Sequence, residues 1–384
     1  MLFSRRLDLR PVLRQRSCLL LGPRQTGKSR LLRETFGDAV TFDLLDHRVF
    51  QRLSADPGRM ADELAMAAPP GGLVVIDEIQ KLPELLDEAH RLIESRGLRF
   101  VLTGSSARKL RRQGVNLLGG RAWVRQLHPL VRCEIGEGFD LLRALRFGTL
   151  PAVWLSDDPA EDLRAYTGTY LREEVAHEGL VRSVPAFSRF LEVAAACNGQ
   201  LINKTQIASD AQVARTTLHE YFEILKDTLL AFELPPYAHT VKRKPVQTSK
   251  FYFFDAGVAR ALRGLPALRE DTVEFGEAFE HYLCHELRTW VDTCAPGTPL
   301  AFWRSTGGHE VDFVLGERLA VEVKATRAVK GSDLRGLRAL AEDAPGMRLV
   351  VVCREPVARK VGAVEILPWQ QFLDALWAGA FAER

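Results

Sequence analysis

The sequence contains no long apolar run. No window of about 18 residues in this chain of 384 is apolar and free of charged side chains, so we do not expect a transmembrane helix. Residues 1–6 are not followed by an apolar segment of signal-peptide length. Together these absences predict a cytoplasmic protein with no membrane partner.

Cysteine is scarce and scattered. The six cysteines include no C-x-x-C pair, and this spacing does not favour a zinc ribbon or a disulfide framework. They lie at Cys18, Cys133, Cys197, Cys284, Cys294 and Cys353. We therefore expect any metal to be held by oxygen ligands, for which Mg²⁺ is the natural ion.

Neither sign of charge dominates. The 52 Lys and Arg residues against 49 Asp and Glu residues leave a net charge of +3, so only a local concentration of basic residues could indicate nucleic-acid binding. Hydrophobic residues make up 46% and charged residues 26%, as in ordinary globular proteins. At roughly 100–200 residues per domain the chain can form two or three domains. We expect three, over residues 1–140, 141–266 and 267–384.

The first domain alternates short apolar segments with helical ones. The predicted strands cover residues 17–21, 40–44, 72–76 and 98–103. Because these segments lack a polar–apolar alternation, they predict a parallel sheet that is covered by helices on both faces. The fold class of this domain is therefore α/β.

A phosphate-binding motif follows the first strand. Residues 22–29 read G-P-R-Q-T-G-K-S, which matches G-x-x-x-x-G-K-[S/T] between a strand and a helix. Backbone N–H groups of such a loop and the helix N-terminus hold phosphates, Lys28 would contact the β- and γ-phosphates, and Ser29 would ligate Mg²⁺. The predicted ATP-binding residues are Gly22, Pro23, Arg24, Gln25, Thr26, Gly27, Lys28, Ser29 and Arg30.

Two later strands end in polar residues. An apolar strand delivers Asp77 and then Glu78, where a carboxylate that supports Mg²⁺ and a carboxylate that polarises the attacking water are needed. The next strand ends in Thr-Gly-Ser-Ser at residues 103–106. A side chain there could touch the γ-phosphate or the water, although a serine helix cap explains the same residues.

These motifs, with L-G-G-R at residues 118–121 and H-P-L at residues 128–130, resemble the AAA+ superfamily. In particular they resemble the archaeal and bacterial ATPases in which this core precedes a C-terminal domain of unknown function. The resemblance implies that Ser105 is a sensor and that Arg121 is an arginine finger supplied across a subunit interface. It also implies self-association, of which a hexameric ring is one form. For Arg121 an ordinary surface arginine is the alternative.

A basic segment without Asp or Glu lies between residues 108 and 125. It could follow a phosphodiester backbone or the nucleotide of a neighbouring subunit, and a solvated basic loop is the alternative. Its cationic residues are Arg108, Lys109, Arg111, Arg112, Arg121 and Arg125.

The second domain ends in a pattern that resembles a winged helix-turn-helix. Predicted helices near residues 204–209 and 215–227 precede strand-like segments at 229–234 and 250–254. The loop between these segments carries Lys242, Arg243 and Lys244, and the exposed start of the second helix would carry Arg215, Thr216, Thr217 and His219. That helix start is where base and phosphate contacts are made in such modules. Acidic residues further along the same helix leave DNA contact and a packing role both open.

The third domain carries a second group of charged residues. We predict a helix at 273–291, strands at 300–304, 310–315 and 319–325, a helix at 333–342 and a strand at 348–353. Glu322 and Lys324 share one face of their strand because side chains alternate with period two. Asp312 can join them if the two strands form a hairpin. Converging carboxylates repel each other unless a divalent cation or a proton lies between them.

This order of elements, with Asp312 and Glu322-Val-Lys324, resembles the restriction-endonuclease-like, or PD-(D/E)xK, nuclease fold. The resemblance adds Glu280 from the preceding helix and implies that Glu280, Asp312 and Glu322 hold Mg²⁺. Lys324 would then orient or deprotonate the attacking water or stabilise the phosphorane. A satisfied ion-pair network that uses the same residues is the alternative.

The sequence therefore supports three hypotheses that share an ATPase with ATP and Mg²⁺ as cofactors. The first is an ATP-hydrolysing AAA+ protein that acts on duplex or branched DNA and has a Mg²⁺-dependent nuclease-like domain. The second is an ATP-dependent switch or scaffold that controls a protein partner, with a catalytically inactive nuclease-like domain. The third is a DNA-binding regulator that uses ATP for oligomerisation.

Overall fold

A computed structural model of the chain describes residues 3–106, 117–170, 183–265 and 267–381. The chain forms two compact units. The smaller contains Leu2–His128 with Ile224–Leu230, and the larger contains Pro129–Glu223 with Ala231–Arg384. The predicted second and third domains both fall mainly in the larger unit, so the division into three domains stays a prediction.

The smaller unit is built on a parallel sheet, as the sequence predicts. Its strands are β1 (Ser17–Leu21), β2 (Val40–Asp43), β3 (Leu73–Asp77), β4 (Arg99–Gly104) and β5 (Ala122–Gln126). Its helices are α1 (Arg10–Leu13), α2 (Lys28–Thr35), α3 (His47–Ala55), α4 (Arg59–Ala67) and α5 (Leu85–Arg96). All five strands run parallel, in the order β2-β3-β4-β1-β5.

Both faces of this sheet are covered by apolar side chains. Leu19 and Leu21 of β1 pack in one core cluster, and Cys18 and Leu20 pack in another. Alternate residues of a strand point to opposite faces, so a strand with a core on each side is apolar throughout. This is why β1 is a continuous apolar run and shows no alternation.

The larger unit begins with short helices and continues into two sheets. Its helices are α6 (Arg132–Ile135), α7 (Leu141–Phe147), α8 (Pro151–Leu155), α9 (Pro159–Ala165), α10 (Val184–Ala196), α11 (Lys204–Asp210), α12 (Arg215–Asp227), α13 (Ala256–Leu262), α14 (Val273–Cys294), α15 (Arg335–Asp343) and α16 (Trp369–Trp377). Its strands are β6 (Gln200–Leu201), β7 (Ala231–Leu234), β8 (Lys250–Phe253), β9 (Leu300–Arg304), β10 (Glu310–Leu315), β11 (Leu319–Val323), β12 (Arg348–Cys353), β13 (Arg359–Val361) and β14 (Val364–Pro368). Among the described residues, no helix is long and apolar enough to cross a membrane.

The two sheets of this unit differ in size and pattern. The small sheet is antiparallel, in the order β6-β8-β7, and the large one has the order β13-β14-β12-β11-β10-β9. In the large sheet β10 pairs antiparallel with both β9 and β11, and β12 pairs parallel with β11. The sequence order helix, three strands, helix, strand is therefore present between α14 and β12. Strands β13 and β14 are additions that the sequence analysis did not predict.

The segment between β7 and β8 runs along the edge of the large sheet. Tyr237 N donates to Phe302 O at 2.6 Å, Val246 N donates to Arg304 O at 2.9 Å, and both acceptors belong to β9. An exposed strand edge is a site of unwanted pairing. The segment therefore protects β9 and attaches β7 and β8 to the large sheet.

A buried histidine joins the small sheet to α14. His281 is 2% exposed, its Nε2 lies 2.7 Å from Phe253 O, and its Nδ1 lies 3.1 Å from Asn198 Nδ2. Since the amide nitrogen can only donate, Nδ1 accepts and Nε2 carries the proton. Burial lowers the pKa of His281 to about 4, so this residue is held neutral in the folded state.

This histidine gives the larger unit a defined acid sensitivity. Below the unfolded pKa of about 6.5 the unfolded chain binds a proton that the folded chain does not bind until about pH 4. The free energy of unfolding should therefore fall as the pH drops through this window, by about 3 kcal/mol. Urea denaturation between pH 4 and 7 should show a weaker fall for His281→Gln than for wild type. The exposed His219→Gln variant should behave like wild type, and an unchanged pH dependence in His281→Gln would contradict the assignment.

Candidate functional site

The first site lies where β1 passes into α2. Gly22 can be nothing larger, because a Cβ there would lie 2.4 Å from the backbone oxygen of Leu127. Gly27, the residue before α2, has a φ of +91°, a left-handed conformation that favours glycine. The chain can therefore make the tight turn that the phosphate-binding motif requires.

Lys28 closes this loop from the first turn of α2. It is 5% exposed, and its Nζ donates to Gly22 O at 2.8 Å and to Pro23 O at 3.1 Å. Thr26 Oγ1 donates to Pro23 O at 2.8 Å. The ammonium group therefore lies inside the loop, where the motif predicts that it meets phosphate oxygens.

Two arginines near the loop, Arg30 and Arg5, make contacts that the motif does not predict. Arg30 pairs with Glu34 along α2, with Nε and Oε1 2.7 Å apart, and 44% of its side chain is exposed. Arg5, which the sequence analysis missed, donates from Nη1 to Thr26 O at 2.9 Å and also contacts His128 O. Arg5 therefore fastens the loop from outside the motif. No local pattern around Arg5 indicates this role.

Asp77 and Glu78 lie at the end of β3 and are both buried. Thr103 on the neighbouring β4 connects them, because its Oγ1 accepts from Glu78 N at 2.9 Å and donates to Asp77 Oδ1. Glu78 itself has a φ of +62°, a strained conformation for a non-glycine residue. The bond from Glu78 N–H to Thr103 Oγ1 ties the backbone at Glu78 to β4.

Gln80 joins Glu78 to the predicted sensor. Its Nε2 donates to Glu78 Oε2 and, at 3.1 Å, to Ser105 Oγ. Its Oε1 makes no hydrogen bond to a described residue. Gln80 therefore links Ser105 to Glu78 through one amide group, and the roles of Ser105 as a sensor and of Glu78 in polarising water stay predictions. Thr103 was visible in the quoted motif, whereas no pattern distinguished Gln80.

One cavity contains the residues predicted to support Mg²⁺. Ser29 and Asp77 both line a space of about 290 Å³, together with Asp43 at the end of β2. Asp43 is the register partner of Asp77 in the parallel pair β2–β3. A hydroxyl and carboxylates facing one space are ligands that suit Mg²⁺, so these residues fit the ion.

Arg121 lies at the opposite end of the sheet. It directly precedes β5, and its backbone oxygen accepts from Ser17 N at the start of β1. Its guanidinium pairs with Glu94 and donates to Gly119 O at 3.2 Å. Arg121 therefore does not reach the P-loop of its own chain, and a role as a finger towards a neighbouring subunit stays a prediction. Within the basic segment, Arg108, Lys109, Arg111 and Arg112 lie outside the described residues.

The second site lies in the larger unit and includes all four predicted residues. Asp312 on β10 accepts from Val323 N at 2.8 Å through Oδ2, and Lys324 Nζ lies 2.6 Å from Glu322 Oε1. Glu280 on α14 accepts from Tyr252 OH at 2.6 Å. The predicted hairpin of β10 and β11 therefore does bring the carboxylates together.

A lysine that the sequence analysis did not single out lies among them. Lys250 of β8 is 4% exposed, and its Nζ lies 3.2 Å from Glu280 Oε1, 2.8 Å from Glu310 Oε1 and 3.9 Å from Asp312 Oδ1. Glu310, the first residue of β10, was not among the predicted site residues. Lys250 was missed because it lies outside the predicted third domain.

Burial and mutual repulsion shift the titration of this cluster. Burial, and then the Glu280 charge, raise the pKa of Asp312 to about 6. Burial, and then Asp312, raise the pKa of Glu322 above its usual value. Burial alone would lower the pKa of Lys250, but Glu280, Asp312 and Glu310 together raise it. Lys250 is therefore a permanent positive charge in this cluster.

The carboxylates do not form the predicted metal group. Within the part of the chain that the structure describes, no three or more His, Cys, Asp or Glu side chains are arranged to hold a metal ion. The physical reason is that Lys250 and Lys324 already neutralise Glu280, Asp312 and Glu322. The donor set as it stands therefore does not fit Mg²⁺.

The helix pair and the basic loop also have defined positions. Arg215, Thr216 and His219 are exposed on α12, whereas Thr217, also predicted to be exposed, is half-buried. Leu218 and Phe222 of the same helix are buried. In the loop, Arg243 pairs with Asp343 at 2.9 Å and with Glu342 at 2.7 Å. Arg243 is therefore bound to α15 and is not a free cation of a wing.

Comparisons with known proteins assign the first site. Residues 14–136 match the family model of an AAA domain. This part of the chain is similar to P-loop ATPase domains of AAA type. Residues 138–269 and 275–372 match two domains of unknown function, DUF8612 and DUF4143. The AAA match supports ATP binding and hydrolysis, whereas the other two matches leave the winged-helix and nuclease-like resemblances as predictions.

Two relatives align with most of the chain, and a third aligns with about half of it. Uncharacterised proteins of Mycobacterium bovis and Mycobacterium tuberculosis are each 28% identical over 345 residues, which is 87% of this chain and 75% of theirs. An uncharacterised Haemophilus influenzae protein is 24% identical over 204 residues, 48% of this chain and 51% of that protein. The descriptions of these relatives assign no function.

Two solved structures share a remote likeness. The Aeropyrum pernix Orc1 protein in complex with DNA is 16% identical with a TM-score of 0.26, over 67% of this chain and 90% of that one. A signal transduction ATPase with a tetratricopeptide repeat sensor from Pyrococcus horikoshii is 13% identical with a TM-score of 0.24, over 76% of this chain and 47% of that one. TM-scores this low carry no argument about fold or function.

Replacement of Thr103 tests the network of the AAA domain. Thr103→Val keeps the shape but leaves Glu78 N–H and Asp77 Oδ1 without their partner, which should lower the free energy of unfolding by about 2 kcal/mol and the ATPase rate by about tenfold. Thr103→Ser keeps the hydroxyl and should retain both. Urea denaturation and phosphate release measure the two effects. Equal stability and activity of the valine and serine variants would refute the role of this hydroxyl.

Proposed function

We propose that the chain is an ATP-dependent switch that binds and hydrolyses ATP–Mg²⁺ in its AAA domain and thereby controls a macromolecular partner. The observation that carries this proposal is the buried network of Asp77, Thr103, Glu78, Gln80 and Ser105 at the carboxyl ends of β3 and β4, of which β4 adjoins the P-loop strand β1. A network of this kind fixes the positions of the reacting groups in advance.

The roles in ATP binding follow from the loop. Lys28 would exchange its bonds to Gly22 O and Pro23 O for the β- and γ-phosphate oxygens. The N–H groups of residues 22–29 and the start of α2 would hold the remaining phosphate charge. Ser29 and Asp77 would hold Mg²⁺, which when bound neutralises charge on the phosphate oxygens.

Glu78 would act on the attacking water. As the water oxygen bonds to the γ-phosphorus and ADP leaves, the water proton passes to the carboxylate. Gln80 fixes that carboxylate by donating to its Oε2, and the same amide group reaches Ser105 Oγ. Loss or gain of the γ-phosphate near Ser105 would therefore be felt at Glu78, which is what a sensor requires.

Two substitutions separate ATP binding from hydrolysis. Lys28→Ala should weaken binding of a fluorescent ATP analogue by roughly two orders of magnitude, because a charge-assisted contact to phosphate is lost. Glu78→Gln should keep binding and slow phosphate release by about 10²- to 10⁴-fold, since the general base is removed. The exposed Glu84→Gln variant is the control. Unchanged ATPase activity in Lys28→Ala would sink the assignment.

DNA is the candidate partner that the sequence favours. The exposed Arg215, Thr216 and His219 at the start of α12 support contact through this helix, and so does the concentration of arginine in the basic segment. The binding of Arg243 to α15 weighs against a free basic wing. A protein partner is the alternative, and the same exposed helix start could serve it.

A salt titration tests the DNA contact. If the basic segment neutralises phosphates, log affinity for duplex DNA should fall with log salt, and Arg111→Gln with Arg112→Gln should reduce the slope by about 2. Arg30→Gln, which removes an exposed arginine of α2, serves as a comparison outside the segment. A slope that is the same in wild type and the double variant would exclude the segment as a DNA contact.

In the larger unit the order of helices and strands favours a nuclease-like fold. The pairing of the carboxylates with lysines weighs against nuclease activity. The order α14, β9, β10, β11, α15, β12 matches the PD-(D/E)xK pattern, and Asp312, Glu322 and Lys324 lie together. Their neutralisation by lysines favours the switch with a catalytically inactive nuclease-like domain. On linear, supercoiled and four-way DNA with Mg²⁺ or Mn²⁺, wild type and Asp312→Ala should both leave the DNA intact. Cleavage by wild type that Asp312→Ala abolishes would favour a nuclease instead.

A further inference from the structure

Lys250 reaches the acidic cluster from a different part of the unit. It lies on β8, between β6 and β7 of the small sheet, whereas Glu310 and Asp312 lie on β10 of the large sheet and Glu280 lies on α14. Lys250 is the first residue of β8 and its side chain is 5% exposed, so its charge has to be compensated within the protein. Glu280, Glu310 and Asp312 provide this compensation.

The strand presents this lysine together with a second donor. Lys250 and Tyr252 are two residues apart and therefore share one face of β8. Tyr252 OH donates to the same Glu280 Oε1 that Lys250 Nζ contacts, at 2.6 Å and 3.2 Å respectively. Lys250 Nζ also lies 5.5 Å from the centre of the Phe302 ring on β9. The ammonium group is thus held by its carboxylate partners and by the face of the Phe302 ring.

The oxygen atoms that a divalent cation would need are mostly engaged. Glu280 Oε1 and Glu310 Oε1 bind Lys250, Asp312 Oδ2 accepts from Val323 N, and Glu322 Oε1 binds Lys324. Glu322 Oε2 makes no hydrogen bond to a described residue. A metal ion needs several oxygens that face one point, and the ammonium already lies at the point that three of these carboxylates share.

We infer that the Lys250 ammonium takes the position of a divalent cation in this cluster. The carboxylates of Glu280, Glu310 and Asp312 then act as a clamp that joins β8 to α14 and to the large sheet, not as a metal centre. The clamp does not depend on nucleotide, so this inference does not rest on ATP hydrolysis and is tested without ATP.

Removal of the ammonium should turn the clamp into a metal site. In full-length, nucleotide-free Lys250→Gln the carboxylates lose the ammonium group that they share, while Arg304 still lies 3.6 Å from Glu310, and the Tm should fall on the order of 10 °C. A cavity of about 440 Å³ that Lys250, Glu280 and Glu310 line gives an ion access to them. Millimolar Mn²⁺ at constant ionic strength should restore at least half of this loss. Wild type and the exposed Lys244→Gln should show no comparable shift with Mn²⁺.

The outcomes distinguish an ammonium group that takes the position of a divalent cation from an ordinary buried lysine. A folded Lys250→Gln protein that Mn²⁺ does not stabilise would overturn the inference. If Lys250→Gln does not fold, the electron paramagnetic resonance of Mn²⁺ mixed with wild type and with Asp312→Asn decides. Equal Mn²⁺ binding by the two proteins supports the clamp, and a site in wild type that Asp312→Asn removes overturns it. The ATPase variants do not enter this comparison, so its failure is distinct from failure of the proposed function.

Discussion

A charged side chain that is taken out of water has to be compensated where it lies, and this constraint governs both charged sites of the chain. In the larger unit Lys250 meets Glu280, Glu310 and Asp312 within 3.9 Å. In the smaller unit the Thr103 hydroxyl donates to the Asp77 carboxylate and the Gln80 amide donates to the Glu78 carboxylate. Both donors are neutral. The carboxylates of the larger unit are paired with a lysine, whereas Asp77 and Glu78 are hydrogen-bonded to neutral groups and can still bind a cation.

The order of the strands makes the second arrangement possible. Because β4 lies between β1 and β3, its carboxyl end separates the P-loop from Asp77 and places Thr103 and Ser105 beside the carboxylates. The carboxyl ends of parallel strands meet at one edge, which is where ligands bind in open α/β sheets. Neutral hydroxyl and amide groups can position carboxylates there without cancelling the charge that Mg²⁺ requires. This arrangement is compatible with the chemistry that the P-loop motif predicts.

In the larger unit, residues that resemble a nuclease motif lie together, but their charges are paired with lysines. Asp312, Glu322 and Lys324 have the spacing of a nuclease motif, and the hairpin of β10 and β11 brings them together. The electrostatic state of the cluster, however, depends on Lys250. The resemblance in fold and the absence of a metal group among the described residues are therefore compatible, since fold does not fix function.

The sequence by itself determined the parallel α/β sheet, the P-loop from Gly22 to Ser29, and the carboxylates at Asp77 and Glu78. These features are local: a strand, a turn and a helix start are encoded by neighbouring residues. It also predicted that Glu322 and Lys324 share one strand face and that Asp312 can join them if the two strands form a hairpin. Only the tertiary structure decided the roles of Gln80, Arg5 and Lys250 and the binding of Arg243 to α15. Those contacts join residues that are distant in sequence, and whether a buried charge is compensated depends on which distant residue arrives beside it.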